Sequence, residues 1–449
     1  MEYLKRTEII SIGFMMFSIY FGAGNLIFPP AVGQAAGTNL LPAIAGFLLT
    51  GVGLPFLGIV AIAFQGGHYT EFISKHVHPK FAFILLGLLY LTIGPLFAIP
   101  RTAAVAFEIG VRPFISIHSM VWSQLLYTAA FFIATYLLAL NPHKIIDRIG
   151  KILTPILLFF LIVLFARSYI SPLGAVSAAV GTYITAPFAQ GFQNGYLTMD
   201  LLASLAVGAI VVNTVRMRGV KEKRRIGRVC IAGGLISIIL MSGVYISLAY
   251  IGATSAGSFG PFNNGAVLLA NAASVFFGPL GNILLAVIMT IACLTTSCGI
   301  ASACAWYFNK ASQNRVSYQR ILLYCILFSF VAANIGLTKL IQISVPFLTA
   351  MYPVVIVLVI LSLFSRVWKE RSSVYRWSLG FTLFFSIFDG INAAGIQITG
   401  INFLFNKYIP FYPVHLGWVI PALLGIIIGY GISCFEKGTE SLTYTADDK

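Results

Sequence analysis

Ser18-Ile19-Tyr20-Phe21-Gly22-Ala23-Gly24-Asn25-Leu26-Ile27-Phe28-Pro29-Pro30 lies inside an apolar run from about residue 9 to residue 32. The run is long enough to cross a bilayer, yet it cannot hold one unbroken helix. Gly22 and Gly24 are poor helix formers, and the Pro29-Pro30 pair withholds two backbone donors. In hydrocarbon every backbone N–H and C=O needs a partner, so a break is tolerated only where the freed groups face protein, a cavity or a ligand. Secondary transporters build substrate and ion sites from such interrupted helices near the bilayer midplane. The stretch therefore points to a transport protein, with the interruption expected across residues 22–30.

Composition agrees with a membrane setting. Of 449 residues, 59% are hydrophobic and only 9% charged, and mean hydropathy is +0.92. Soluble domains carry about a quarter charged residues, so this chain cannot cover an aqueous surface. The net charge of +15 does not indicate nucleic acid, because the basic residues sit in short loops between apolar runs. Cys230, Cys293, Cys298, Cys304, Cys325 and Cys434 form no Cys-x-x-Cys pair and read as small core residues. Lys5-Arg6 and the apolar run from Ile9 resemble a signal peptide, but no small-residue cleavage site follows. The segment is expected to remain as the first span.

Twelve spans are expected, near 9–32, 40–64, 81–107, 119–140, 149–169, 186–213, 226–252, 280–308, 319–337, 340–364, 377–398 and 414–434. Of the 28 basic residues, 23 fall on one side of this arrangement. They include Lys5, Arg6, Lys75, Lys80, Lys144, Arg148, Lys151, Lys310, Arg315, Arg320, Arg366, Lys369, Arg371, Arg376, Lys437, Lys449 and the seven of the 216–228 loop. Arg112, Arg167, Lys339 and Lys407 lie on the other side, with Arg101 inside the third span. The positive-inside rule then places both termini in the cytoplasm. The 216–228 cluster reads as a topological anchor in preference to an anionic-lipid site. The uncharged, glycine-rich 253–279 stretch reads as a long external loop able to fold over a vestibule.

A second interruption supports an internal repeat. Gly191-Phe192-Gln193-Asn194-Gly195-Tyr196-Leu197-Thr198-Met199-Asp200 breaks the sixth apolar run as residues 22–30 break the first. Paired breaks in corresponding spans are the best sequence pointer to a transport site. Five spans per half implies halves of opposite orientation. Half-helix N-termini suit a substrate carboxylate, while unwound carbonyls and hydroxyls suit a small cation. The expected substrate site runs between Gly22, Ala23, Gly24 and Asn25 on one break and Asn194, Gly195, Tyr196 and Thr198 on the other, with an aliphatic side chain against Ile300 and Tyr90. In the eighth span, Thr295, Thr296 and Ser297 offer hydroxyls to sodium, a hard cation. From that span alone, bonding to the helix's own carbonyls is the stronger reading.

Three of these stretches resemble the bacterial branched-chain amino acid:cation symporters. They are residues 21–30, residues 90–102 in the third span (Tyr-Leu-Thr-Ile-Gly-Pro-Leu-Phe-Ala-Ile-Pro-Arg-Thr) and residues 195–200. The similarity covers essentially the whole chain. The resemblance implies an all-α membrane protein of twelve helices with a five-plus-five inverted-repeat core of the leucine-transporter type. Helices 1 and 6 would be broken, and the whole would form one domain: 1–170 and 186–365 as repeats, 377–434 as two added helices. It implies import of leucine, isoleucine and valine, driven by sodium or, in some members, protons, the alternative within the transporter class being a different solute such as another apolar amino acid or a nucleobase. Carried over by motif, the fold's common sodium site would use carbonyls of Ser18, Phe21 and Ala292 and hydroxyls of Thr295 and Thr296. This tips the eighth span toward an ion site. A second sodium would involve Tyr20, Asn25 and Thr198. The arginine that many relatives use as an external gate after the first break is missing here. No other cofactor is implied.

Four intramembrane charges need separate readings. Asp200 either brace the second break or carries a proton, with bracing preferred. Arg101 and Glu108, two helical turns apart, read as structural. Asp389-Gly390 reads as packing or capping outside the ten-span core. An ion channel would want a filter sequence, which is not seen. An enzyme would want a nucleophile, acid/base pair or metal cluster. His68, His76, His78, His118, His143 and His415 instead fall in loops or near span ends, with His76 and His78 reading as solvated.

Overall fold

The computed structural model describes residues 4–444 except 68, 141, 369 and 370, and omits the side chains of 117, 142–154, 157 and 435–444. His68, His143, Lys144, Arg148, Lys151, Lys369, Lys437 and Lys449, invoked above, therefore lie outside what is described. Among the described residues the chain is helical, without strands. The helices are α1 (Arg6–Tyr20), α2 (Ala23–Ala36), α3 (Leu40–Leu48), α4 (Leu54–Phe64), α5 (Tyr69–His76) and α6 (Pro79–Leu91). Then come α7 (Ala98–Gly110), α8 (Met120–Ala139), α9 (Pro142–Ile170), α10 (Pro187–Asn194), α11 (Asp200–Met217) and α12 (Lys223–Phe259). The last six are α13 (Gly265–Ala311), α14 (Tyr318–Ala333), α15 (Leu337–Leu363), α16 (Ser372–Ala393), α17 (Thr399–Tyr408) and α18 (Val419–Tyr444).

Among the described residues, seven helical stretches are long and apolar enough to cross a membrane: 23–64, 79–114, 120–139, 200–217, 223–259, 265–311 and 337–363. Their outer faces are greasy. Leu41, Val121 and Leu280 are 77–80% exposed, an arrangement suited to lipid tails and not to water. The interior is held partly by close backbone approach. A Cβ built on Gly33 of α2 would stand 1.8 Å from the Ala249 carbonyl oxygen of α12, and one on Gly191 of α10 would stand 1.9 Å from that of Ala43 in α3. Only glycine fits at such crossings, as in small-residue packing of membrane helices. Both halves of the first broken helix, α1 and α2, lie along α12, while α10 and α11 lie along α3 and α4.

Three expectations change. The first break is confined to Phe21 and Gly22, and α2 runs straight through Pro29 and Pro30. The prolines still leave the Asn25 and Leu26 carbonyls without their α-helical donors. The stretch 253–279 is mostly helix: only 260–264 link α12 to α13, and Gly278 (φ 64°) kinks α13. Its glycines and lack of charge concealed a regular structure that packs on α2, where a Cβ at Gly265 would meet the Ile27 carbonyl at 1.8 Å. His76 is buried rather than solvated. Its Nδ1 lies 2.8 Å from the Phe72 carbonyl, and its ring packs between Phe72 and Tyr375.

Candidate functional site

The two helix breaks meet. At the first, Phe21 is extended and Gly22 N-caps α2. The Gly22 N–H donates to Asn25 Oδ1 at 3.1 Å, so α2 closes its own N-terminus. At the second, α10 ends at Asn194, a tight turn covers Gly195–Thr198, and Met199 takes left-handed geometry (φ 62°) before α11 starts at Asp200. This break begins later than the 191–200 stretch suggests, because Gly191 is needed inside α10 for its approach to α3.

Asn25 joins the two breaks. Its Nδ2 donates to Asp200 Oδ2 at 2.6 Å and also to the Tyr245 hydroxyl, which in turn donates to Asp200 Oδ2 at 3.0 Å. All three residues are buried. Asp200 thus bridges α11 to α2 and α12, which fits the bracing role. Thr198 Oγ1 donates to the Gly195 carbonyl at 2.9 Å, and the Leu201 N–H donates to the Tyr352 hydroxyl at 3.2 Å.

Of the residues expected to hold an ion, those on α13 lie beside the first break, since α13 packs on α2. A Cβ on Gly22 would lie 3.2 Å from Thr296 Cγ2 and 3.5 Å from its Oγ1, so the first break abuts Thr296. Thr295 and Thr296 both donate to the Ala292 carbonyl, at 2.9 and 3.0 Å, bonds that use the hydroxyl hydrogens and not the oxygen lone pairs. Ser18 sits in the last turn of α1, and the Tyr20 hydroxyl donates to the Pro55 carbonyl.

Other expected substrate contacts are otherwise engaged. The Asn194 amide donates to the Tyr183 hydroxyl and the Gln190 carbonyl. Tyr196 stacks on Tyr352 at 4.5 Å. Tyr90 stacks on Tyr307 at 3.9 Å, and Ile300 is partly buried one turn beyond Thr296.

Arg101 and Glu108, read as structural groups sharing one face and able to pair with other spans, part company: Glu108 bonds Arg112, whereas Arg101 reaches another span at the second break. Its Nη1 donates to the Leu197 carbonyl at 2.5 Å and its Nη2 to that of Thr198 at 3.4 Å. A third helix interruption, at Thr92–Leu96 with Gly94 outside helical geometry, precedes α7 and sets its direction. Gly94-Pro95 was the available signal. Asp389-Gly390 fits the packing role: a Cβ on Gly390 would stand 2.8 Å from Ala350 Cβ of α15, and Asp389 Oδ1 lies 3.7 Å from His415 Nδ1.

Comparison with known proteins fits this geometry. The sequence profile described as "Branched-chain amino acid transport protein" matches residues 5–436. The chain belongs to that family. The branched-chain amino acid permease BraB of Bacillus subtilis is 45% identical over 98% of both chains. The branched-chain amino acid transport system 2 carrier protein of Pseudomonas aeruginosa is 41% identical over 95% of this chain and 96% of its own. Among solved structures, Mhp1, a nucleobase-cation-symport-1 family transporter in a closed conformation with bromovinylhydantoin bound, shares the fold. Its TM-score is 0.62 at 13% identity, over 96% of this chain and 93% of that one. The family's members are multi-pass membrane transporters, and the chain is not an enzyme.

Proposed function

We propose that this protein imports leucine, isoleucine and valine, coupled to sodium entry, by alternating access. In this reading it has twelve spans, both termini in the cytoplasm and a place in a bacterial plasma membrane. Residues 1–170 and 186–365 are inverted repeats, and 377–434 add two helices. The observation that carries it is the joining of the two helix breaks through Asn25, Asp200 and Tyr245 beside Thr296. The crossed packing, with each broken helix lying along the helix that follows the other, supports the repeat. The names of the 45% and 41% identical relatives support the substrate class.

The substrate lies between residues 22–25 and 194–198, with its side chain toward Ile300 and Tyr90. An apolar pocket separates side chains differing by a methylene by only about 1–3 kcal/mol, so the three substrates compete with one another. Sodium sits on the carbonyls of Ser18, Phe21 and Ala292 and the hydroxyls of Thr295 and Thr296, tying α1 to α13. A second ion at Tyr20, Asn25 and Thr198 has only one lone pair left on Asn25 Oδ1, which already accepts from Gly22. Linkage requires sodium and substrate to raise each other's affinity equally.

Purified protein in liposomes, loaded so that either a sodium or a proton gradient is imposed, tests this. Leucine should accumulate with the sodium gradient, and Thr295→Val and Thr296→Ala should each shift its sodium dependence to higher concentration. A second reading, proton coupling, is favoured by one observation, the buried Asp200 carboxylate between the breaks. Accumulation that ignores sodium, follows the proton gradient and is abolished by Asp200→Asn would replace the first reading with the second.

A further inference from the structure

Arg101 places a guanidinium at the meeting point of the two breaks, and it is only 5% exposed. A charge so deep in a membrane protein is costly unless it is matched. What it touches is neutral. Two donors go to the backbone carbonyls of Leu197 and Thr198, the guanidinium carbon lies 5.1 Å from the centre of the Phe28 ring, and Nε has no partner. The acidic residue at the same junction is Asp200, which opens α11 directly after the second break. That carboxylate is bonded by Asn25 and Tyr245 instead, and among the described residues the two form no ion pair. The other local attraction for an anion, the α2 N-terminus, is already closed by Asn25 at Gly22.

We propose that Arg101 is the residue that receives the carboxylate of the transported amino acid, exchanging its bonds to the Leu197 and Thr198 carbonyls for the substrate. The guanidinium fork matches a carboxylate in two-point geometry, and a full negative charge outbids two carbonyl dipoles. Gly24 supports the placement from the first break: a Cβ there would stand 2.7 Å from Nη2, so only glycine lets the α2 backbone come this close to the fork. Binding then releases the second break from Arg101, which gives substrate a direct means of altering the Gly195–Thr198 turn. This inference rests on the amino acid transport reading.

The test uses the full-length protein in nanodiscs, with binding read by competition against radiolabelled leucine and by thermal stabilisation. Wild type should bind leucine and 4-methylpentanoate, which keeps the carboxylate, but should take L-leucinamide and L-leucinol at least roughly a hundredfold more weakly. Arg101→Gln should lose roughly a hundredfold or more in leucine affinity while its weak leucinol affinity stays unchanged, and Arg101→Lys should recover part of the loss. A merely structural arginine would lower both affinities together. Leucinamide binding as tightly as leucine to wild type, or Arg101→Gln binding leucine within about threefold of wild type, overturns the inference. If the variants do not fold, the wild-type series still overturns the inference whenever leucinamide binds as tightly as leucine. If wild type binds no branched-chain amino acid, the transport reading falls and takes this inference with it. Leucine binding that does not need the carboxylate sinks the inference alone.

Discussion

Gly24 shows how much one missing side chain can decide. A methyl group there would press on Arg101 Nη2 at 2.7 Å and Cζ at 3.2 Å, while the Leu197 carbonyl holds the guanidinium from the other side. Retreat would break that bond. Gly24→Ala is therefore expected to cut leucine uptake more than roughly tenfold at normal protein level, since a lost charge-assisted bond costs about 1.5–3 kcal/mol. Gly22→Ala should be milder, because its nearest neighbour is the Thr296 methyl at 3.2 Å, which can yield slightly. Uptake assays on the pair should rank them in that order, and equal loss would contradict the placement. Tyr245→Phe removes one of the two donors to Asp200 Oδ2, so it should lower the melting temperature by an amount equivalent to about 1–3 kcal/mol. The glycine was legible in the sequence, but its neighbour was not. Spacing along one helix does not reveal which side chain, 77 positions later in the chain, lies opposite.

Among the elements, the two breaks were visible because glycine and polar residues interrupt apolar runs, and they are where the chain departs from helix. Their edges were not visible. Pro29 and Pro30 looked like helix breakers, yet α2 accommodates both, since neighbouring helices and local adjustment re-satisfy freed carbonyls in membrane proteins. The 253–279 stretch failed as a loop for the opposite reason. It carries no charge to mark a boundary, and its real turn is only five residues long. Helix approach is set by small residues, so it gives a sharp prediction. Gly33→Ala and Gly191→Ala would each drive a methyl into a carbonyl oxygen of the facing helix, at 1.8 and 1.9 Å. Each should destabilise the protein by about 1–3 kcal/mol through overpacking. Gly243→Ala, with open space around it, should not. Melting temperatures of the three variants, each without substrate, check the contrast.

At the scale of the molecule, the uneven distribution of lysine and arginine predicts a topology that labelling can test. Single cysteines at 219–222, between α11 and α12, should react with impermeant reagents only from the cytoplasmic side. Those at 260–264, between α12 and α13, should react only from outside. Reversal of either would overturn the orientation. The last two long helices deserve a different kind of question. α16 packs along α15 and α18, and the segment leading into α18 reaches back to the helix that ends at the second break: Gln193 Nε2 donates to the Val414 carbonyl at 2.5 Å. A hairpin that merely decorated the bundle would be separable from it. This one is bonded to the helix that ends at the second break, so a gene cut after residue 365 should yield an inserted but inactive product. Supplying residues 366–449 as an independent polypeptide in the same cell should restore uptake, as complementation between fragments requires.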